Sequence, residues 1–209
     1  MLKIYLMKLN EFFDKIYCIN LDKRLDRWAR CCDIFKLHDI TVDRFSAIDG
    51  TKSEWSNKKL LPGEIGVIRS NLEIIKIAKE NNYKSVVIFE DDVELSDDFN
   101  KAFDSYIKQV PQDWGFIYLG GNHVGGFTQI TENVAKITHS YAIHAIIIRD
   151  TVFDHILTML SEENEQVDVT YAKLQRIFPS YVFRPHLAWQ RKDFSDIQGG
   201  IMDYDFLKK

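Results

Sequence analysis

The apolar residues of the chain follow two patterns, one typical of β-strands and one typical of amphipathic helices. Short runs rich in β-branched and aromatic residues predict buried strands. They cover residues 15–21, 86–89, 115–121, 135–150 (one strand or two) and 180–185. Longer stretches with apolar residues three or four positions apart predict helices. They cover residues 22–38, 62–82, 96–110, 151–164 and 167–178.

Strands that alternate with helices predict an α/β sandwich with a mostly parallel central sheet. Only 4 Pro and 10 Gly are present and no Pro/Gly-rich linker divides the chain, so we expect one domain over residues 1–209. The last segment, residues 195–209, is predicted to be irregular. In sheets of this kind ligands bind beyond the carboxyl ends of the strands. The segments NLDKR, EDD and GGN fall at such ends.

Three consecutive acids, Glu90, Asp91 and Asp92, directly follow the apolar run VVIF. Close carboxylates repel one another, and a divalent cation with oxygen ligands would relieve that repulsion. Alternation along an extended backbone puts Glu90 and Asp92 on one side, where they can share an ion. Asp91 then faces another group, such as a ribose hydroxyl or a basic side chain. The alternative is a helix N-terminus rich in acids, which explains Asp97 and Asp98 better than it explains the triplet.

Two arginines, Arg24 and Arg27, lie in the first turns of the helix predicted after the first strand. Guanidinium groups beside a helix N-terminus suit phosphate. A solvated helix face is the alternative explanation for both.

The composition narrows the classes of function. A net charge of -4 and a pI near 5.9 give no general attraction to nucleic acid. The 3 cysteines form no CxxC motif, which favours a reducing compartment. No signal-peptide pattern and no apolar run of about 18 residues is present. We therefore expect a soluble, cytoplasmic protein without a transmembrane segment or a nucleic-acid partner, and peripheral membrane contact stays open.

Seven segments, in order along nearly the whole chain, resemble blocks of glycosyltransferase family 25. This family includes bacterial lipooligosaccharide galactosyltransferases and collagen galactosyltransferases. The segments are IYCINLDKRLDRW, RFSAIDG, LLPGEIGVIRSNLEIIKIA, VVIFEDDVEL, THSYAIHAIII, VDVTYAKL and FSDIQG. The chain departs from the family where Ser70-Asn71 replaces the frequent Ser-His pair.

The resemblance implies a GT-A-type, Rossmann-like fold and a transferase that moves a sugar, most often galactose, from a UDP-sugar. The acceptor would be a hydroxyl of a glycan or glycoprotein, as in lipooligosaccharide biosynthesis. The acidic triplet corresponds to the family's metal-binding Asp-x-Asp motif, with Mn²⁺ or Mg²⁺ as the ion. The tail from about residue 186 is a candidate to close over the donor site.

The resemblance and the motifs together assign roles to nine residues. Glu90 and Asp92 are predicted to hold the metal, and Asp168 is the candidate general base if the reaction inverts. Asp168 could equally be a helix N-cap. The predicted donor-binding residues are Asn20, Arg24, Arg27, Ser70, Asp91 and His139. A structural, hydrogen-bonded role is the alternative for His139.

Two other functions stay open at this point. A catalytically inactive relative that binds sugar nucleotides is compatible with Asn71. A metal-dependent phosphoryl-transfer enzyme would also use three acids. The second is disfavoured because the chain has no phosphate-binding GxxxxGK[ST] loop.

Overall fold

The computed structural model describes residues 6–52, 54–55, 57 and 59–208. Within this part of the chain there are twelve strands and six α-helices. The strands are β1 (Lys15–Asn20), β2 (Asp43–Ser46), β3 (Ser85–Glu90), β4 (Val93–Leu95), β5 (Phe116–Tyr118), β6 (Phe127–Gln129), β7 (Val134–Ile137), β8 (Ala145–Arg149), β9 (Ser180–Phe183), β10 (Ala188–Gln190), β11 (Asp193–Ser195) and β12 (Gly200–Met202). The helices are α1 (Leu9–Phe12), α2 (Leu25–Leu37), α3 (Pro62–Glu80), α4 (Phe99–Ile107), α5 (Asp150–Ser161) and α6 (Val167–Leu174).

Eight strands form the central sheet, in the order β2-β1-β3-β8-β5-β9-β7-β6. The pairs β1–β2, β1–β3 and β5–β9 are parallel. The pairs that involve β8, and both pairs of β7, are antiparallel. Six of the eight strands therefore run in one direction, and only β8 and β7 run in the other. The predicted α/β sandwich with a mostly parallel sheet is confirmed.

The central strand β3 contributes side chains to two cores, one on each face of the sheet. Val87 and Phe89 pack with α2 and α4 on one face. Val86 and Ile88 pack with α3, α5 and α6 on the other. All four side chains are fully buried, and each such burial stabilises the fold by about 1.5–3 kcal/mol. Because both faces are covered, this strand has a continuous apolar run that ends only at the acids.

Helix α3 places its N-terminus beside the carboxyl ends of the strands. Pro62 suits the first helical position, where an N–H would have no partner in the helix. The Glu64 carboxylate accepts a hydrogen bond from the Leu61 N–H at 2.8 Å. A Cβ on Gly66 would lie 2.4 Å from the Ile48 carbonyl oxygen, so only glycine allows this close contact with the loop after β2.

The structure decides one open prediction and adds short elements that the sequence did not predict, such as α1, β4 and β6. Residues 135–150, predicted as one strand or two, contain two strands, β7 and β8, and Ala142 between them has a φ of 66°. The segment predicted to be irregular, residues 195–209, contains β12 and a 3-10 turn at Asp205–Leu207, and the unpredicted strands β10 and β11 begin just before it. β10 pairs with the distant β4, and a strand this short shows no period of its own in the sequence.

Candidate active site

A cavity of about 490 Å³ lies at the carboxyl ends of β1 and β3. The N-termini of α3 and α6 and the tail complete its wall. Six of the nine predicted residues line it, namely Arg27, Ser70, Glu90, Asp91, Asp92 and Asp168. In the described part of the chain, Asn20, Arg24 and His139 are not among the lining residues.

Glu90 and Asp92 lie on the same side of the segment after β3, as alternation predicts. The Gln190 side-chain nitrogen Nε2 lies 3.4 Å from Glu90 Oε2 and 3.3 Å from Asp92 Oδ2. Burial, with Asp91 as a further cause, raises the pKa of Asp92 to about 6. Burial also raises the pKa of Glu90 well above its usual range, and Asp92 and Asp168 add to this shift. A cation placed between the two carboxylates would therefore stabilise their charged forms.

The Asp91 side chain points to the opposite side of this segment and binds other side chains of the protein. Its carboxylate accepts hydrogen bonds from Arg27 Nη1 at 2.8 Å and from Asn20 Nδ2 at 2.6 Å. All three residues are buried. Of the two partners that the sequence left open for Asp91, the structure contains the basic side chain. Direct contact of these residues with a donor stays a prediction.

Arg24 lies beside the cavity, between its own helix and the tail. Its guanidinium binds Asp26 with an Nε to Oδ1 distance of 3.1 Å, and it also donates to Asp196. Lys23 lies on the cavity wall, and its Nζ is 3.8 Å from an Asp196 oxygen. Both cations are therefore near the site, and both already face a tail carboxylate.

Asp168 is the second residue of α6, whose N-cap is Gln166. Asp168 is therefore not the N-cap. Its Oδ2 accepts a hydrogen bond from the Ala142 N–H at 3.0 Å. Burial raises the pKa of Asp168, and the Ala142 bond opposes this shift. The acid thus stays buried at the cavity wall with its orientation fixed.

Ser70 and His139 make hydrogen bonds within the fold. Ser70 Oγ donates to the Gly66 carbonyl at 2.7 Å and accepts from the Ile48 N–H at 2.9 Å. His139 Nε2 lies 2.7 Å from the Tyr141 hydroxyl. The structure does not bring His139 into the cavity wall.

Asn71, which replaces the family's histidine, lies between α3 and α6. Its side chain is fully buried, accepts from the Tyr171 hydroxyl at 3.2 Å and donates to the Val67 carbonyl at 2.9 Å. It is not one of the described residues that line the cavity. Asn71 therefore contributes to the contact between α3 and α6.

The donor set fits a hard divalent cation that completes its coordination with substrate oxygens. Among the described residues, no group of three or more His, Cys, Asp or Glu side chains is placed to hold a metal. Glu90 and Asp92 offer two carboxylates, and Asp92 Oδ1 is buried with no hydrogen-bond partner in the described chain. Mg²⁺ is commonly held by one or two carboxylates together with substrate phosphates and water, and Mn²⁺ takes the same oxygen ligands.

Several lining residues of the tail and of the first loop carried no prediction. They are Lys23, Asp193, Ile197, Met202 and Tyr204. Tyr204 lines the same cavity as the acids, and burial, with Asp92 as a further cause, raises the pKa of its phenol. The sequence signal for this region was the FSDIQG segment, which contains Ile197.

The fold and the site define a class of protein, an α/β protein with an acidic cavity at the carboxyl ends of its strands. A comparison with known families identifies the family. The profile described as "Glycosyltransferase family 25 (LPS biosynthesis protein)" matches residues 13–167. The chain belongs to glycosyltransferase family 25, and the resemblance inferred from its motifs is confirmed.

The curated relatives include procollagen galactosyltransferases and family members that are named inactive or probable inactive. The chain is 27% identical over 129 residues to procollagen galactosyltransferase 2 of Homo sapiens. The aligned segment is 52% of this chain and 21% of the relative. It is 27% identical over 133 residues to the probable inactive glycosyltransferase 25 family member 3 of Rattus norvegicus. The aligned segment is 54% of this chain and 23% of the relative. The chain thus spans about a fifth of the length of these relatives.

Two solved structures align with this chain over most of its length. A glycosyltransferase involved in the glycosylation of the major capsid of PBCV-1 aligns with a TM-score of 0.45 and 10% identity, over 72% of this chain and 66% of that one. A197 from STIV aligns with a TM-score of 0.47 and 11% identity, over 86% of each chain.

Within the described residues, none of the helices is both long enough and apolar enough to cross a membrane.

Proposed function

We propose that this chain is a metal-assisted glycosyltransferase that moves galactose from UDP-galactose to a hydroxyl of a glycan or glycoprotein. One observation carries this proposal. Glu90 and Asp92 converge on a cavity with an unpartnered Asp92 oxygen, and Asp168 lies in the same wall. A cavity of about 490 Å³ falls in the range of small-molecule sites.

Glu90 and Asp92 would hold Mn²⁺ or Mg²⁺, and Gln190 lies against both. A bound cation of this kind supplies Lewis-acid stabilisation of the departing diphosphate. Lys23 and Arg24 lie beside the cavity, where their charges can orient phosphate oxygens. The protein's part in this step is to fix the carboxylates and keep the cationic side chains close.

Asp168 would take the proton from the acceptor hydroxyl in an inverting reaction. A raised pKa brings a carboxylate closer to the pH at which it works as a base. The Ala142 N–H fixes Oδ2. Oδ1 has no hydrogen-bond partner among the residues that the structure describes, and it can receive a proton.

Galactose as the sugar is supported by the names of the relatives, which are procollagen galactosyltransferases. A role in the synthesis of a bacterial-type lipopolysaccharide or lipooligosaccharide is supported by the description of the family. The cytoplasmic location stays a prediction of the sequence.

A catalytically inactive, sugar-nucleotide-binding protein is the second candidate, because some relatives are named as inactive. Asn71 does not favour this candidate, since its side chain is buried between two helices away from the cavity.

Thermal stability tests the proposal. The melting temperature of the wild type is measured with a panel of nucleotide sugars, each with and without Mn²⁺, and transfer is then assayed with the sugar that binds. A ligand at a hundredfold excess over its dissociation constant stabilises the native state by about 2.7 kcal/mol. We expect a Mn²⁺-dependent shift with UDP-galactose.

Asp92→Asn is expected to lose the Mn²⁺-dependent part of that shift and nearly all transfer. Asp97→Asn is the matched control, because Asp97 is a nearby exposed acid that is not among the described residues that line the cavity. A shift with UDP-galactose but no turnover by the wild type would favour the inactive relative. The absence of any shift in the folded wild type would contradict the proposal.

A further inference from the structure

The side chain of Gln190 is the one described group that reaches both metal-binding candidates. Its Nε2 lies 3.4 Å from Glu90 Oε2 and 3.3 Å from Asp92 Oδ2. We propose that Gln190 is a positioning residue that holds these two carboxylates in the arrangement a divalent cation requires. This inference rests on the proposed function. Gln190 lies beyond the residues that match the family profile, 13–167.

The backbone around Gln190 is fixed directly to the segment that carries the acids. β10 pairs antiparallel with β4, and Gln190 lies opposite Val93, the residue after Asp92. The N–H of the next residue, Arg191, donates to the Asp92 carbonyl at 2.8 Å. The Gln190 side chain therefore starts from a backbone position that cannot shift without breaking these bonds.

The start of the same strand is held from two further directions. A Cβ on Gly120 would lie only 2.0 Å from the Ala188 carbonyl oxygen, so the glycine allows β10 to lie against the end of β5. His144 Nε2 lies 3.2 Å from the same oxygen. The GGN segment, predicted to lie at the ligand crevice, thus supports the strand that carries Gln190.

A neutral amide is chemically suited to this position. Its N–H group partly compensates two like charges in the ion-free protein. It carries no positive charge, so it does not repel an incoming cation as Lys or Arg would. It also leaves Asp92 Oδ1 without a partner. Groups that hydrogen-bond to ligating carboxylates typically change metal affinity by 10–100-fold when they are mutated.

Titration with Mn²⁺, followed by the electron paramagnetic resonance signal of the free ion, tests this inference without an activity assay. Wild type, Gln190→Ala and Gln190→Glu are compared, each with and without UDP. We expect Gln190→Ala to bind Mn²⁺ about tenfold or more weakly than wild type. We expect Gln190→Glu to bind at least as tightly as wild type, because it offers a third carboxylate.

Gln198→Ala is the matched control for metal affinity. Gln198 is also a cavity-lining glutamine of the tail, but its amide lies 3.5 Å from the Tyr204 hydroxyl and does not reach the acids. Its Mn²⁺ affinity should equal that of wild type. A residue that only stabilises the fold would give weaker binding in both Gln190 variants, so the opposite directions identify positioning.

A loss of less than fivefold in Gln190→Ala would overturn the inference, as would equal losses in the two Gln190 variants. A wild type that binds no Mn²⁺, even with UDP, would overturn it together with the metal-assisted part of the proposed function. A wild type whose Mn²⁺ affinity depends on Gln190 as expected but that transfers no sugar would support the inference and contradict the proposed transfer.

Discussion

Three adjacent carboxylates, Glu90, Asp91 and Asp92, have different partners because the backbone alternates as β3 ends. Asp91 enters the protein and meets Arg27, and both side chains are buried. Removal of one partner from a buried ion pair typically costs 3–5 kcal/mol, because it leaves an uncompensated charge. The two outer acids keep raised pKa values because burial and mutual repulsion disfavour their charged forms. One sequence motif thus supplies both a structural anchor and a candidate ion site.

At the residue scale, substitutions of Asp168 can distinguish its proposed role as a base from its role as the hydrogen-bond acceptor of the Ala142 N–H. Asp168→Asn keeps an oxygen that can accept the Ala142 N–H but cannot take up a proton. We expect transfer to fall by about 10²–10⁴-fold in this variant. The melting temperature and UDP-sugar binding should stay close to those of wild type. Initial rates and thermal melts provide the measurement.

Asp168→Ala is the companion variant, because it removes the hydrogen-bond acceptor as well. We expect the same loss of transfer together with a lower stability, by about 1–3 kcal/mol, since the Ala142 N–H loses its partner. Transfer by Asp168→Asn at the wild-type rate would remove Asp168 as the base.

At the scale of elements, the hairpin of β11 and β12 lines the cavity and is held by α2 and by the two residues before this helix. Arg24 and Lys23 face Asp196 at the tip of the hairpin, and Arg30 binds Asp193 at 2.9 Å. On the opposite side, the tip packs against α3, where a Cβ on Gly63 would lie 2.8 Å from the Ile197 side chain. Two helices therefore fix the position of the hairpin, mostly through ion pairs.

Loss of the Asp196 carboxylate should loosen this hairpin. We expect Asp196→Asn to increase hydrogen exchange of the amides in residues 193–202 by about two- to fivefold, as for the loss of up to about 1 kcal/mol from a partly exposed ion pair. Mass spectrometry of peptic fragments measures this. Asp26→Asn is the control, because Asp26 binds the same arginine from within α2. Equal exchange in wild type and Asp196→Asn would show that the ion pair does not hold the hairpin.

At the scale of the whole molecule, a buried polar network ties the tail to the sheet. His186 Nδ1 donates to the Leu207 carbonyl at 2.7 Å, and His186 Nε2 lies 3.0 Å from His123 Nε2. His123 Nδ1 in turn meets the Ser140 hydroxyl. One neutral tautomer of each ring satisfies all three contacts. The network therefore favours neutral histidines, in agreement with the lowered pKa values of His123 and His186, for which burial is the main cause.

The buried histidines predict a loss of stability in mild acid. Burial lowers the pKa of His144 to about 4, whereas an unfolded histidine titrates near 6.5. The unfolded state then binds the proton first, so this residue lowers the free energy of unfolding as the pH falls from about 6.5 to 4. His144→Gln removes that effect and should gain up to about 3 kcal/mol relative to wild type across this range.

Urea unfolding at a series of pH values measures the difference between the two proteins. His155→Gln is the control, because His155 is exposed on α5. Its pH profile should follow that of wild type. Parallel profiles for wild type and His144→Gln would contradict a neutral, buried His144.

Much of the fold could be predicted because helices and strands each have a characteristic spacing of apolar residues along the chain. The buried face of α3 was predictable because its apolar residues lie three or four positions apart. Strand β3 was predictable because it is buried on both faces and therefore has a continuous run of apolar residues. The tail could not be predicted in the same way. β10, β11 and β12 have three residues each, and their pairing depends on partners elsewhere in the fold.

The sequence by itself determined the alternation of strands and helices, the family, and the common side of Glu90 and Asp92. The elements and the common side of the two acids depend on neighbours a few residues apart, where backbone geometry decides which side chains share a face. The family follows from short motifs and their order along the chain. Only the tertiary structure decided that Asp91 binds Arg27, that Ala142 holds Asp168, and that Gln190 reaches both outer acids. Those partners are 64, 26, 100 and 98 positions apart. Contacts over such separations are set by how whole elements pack, and no local period of the chain encodes them.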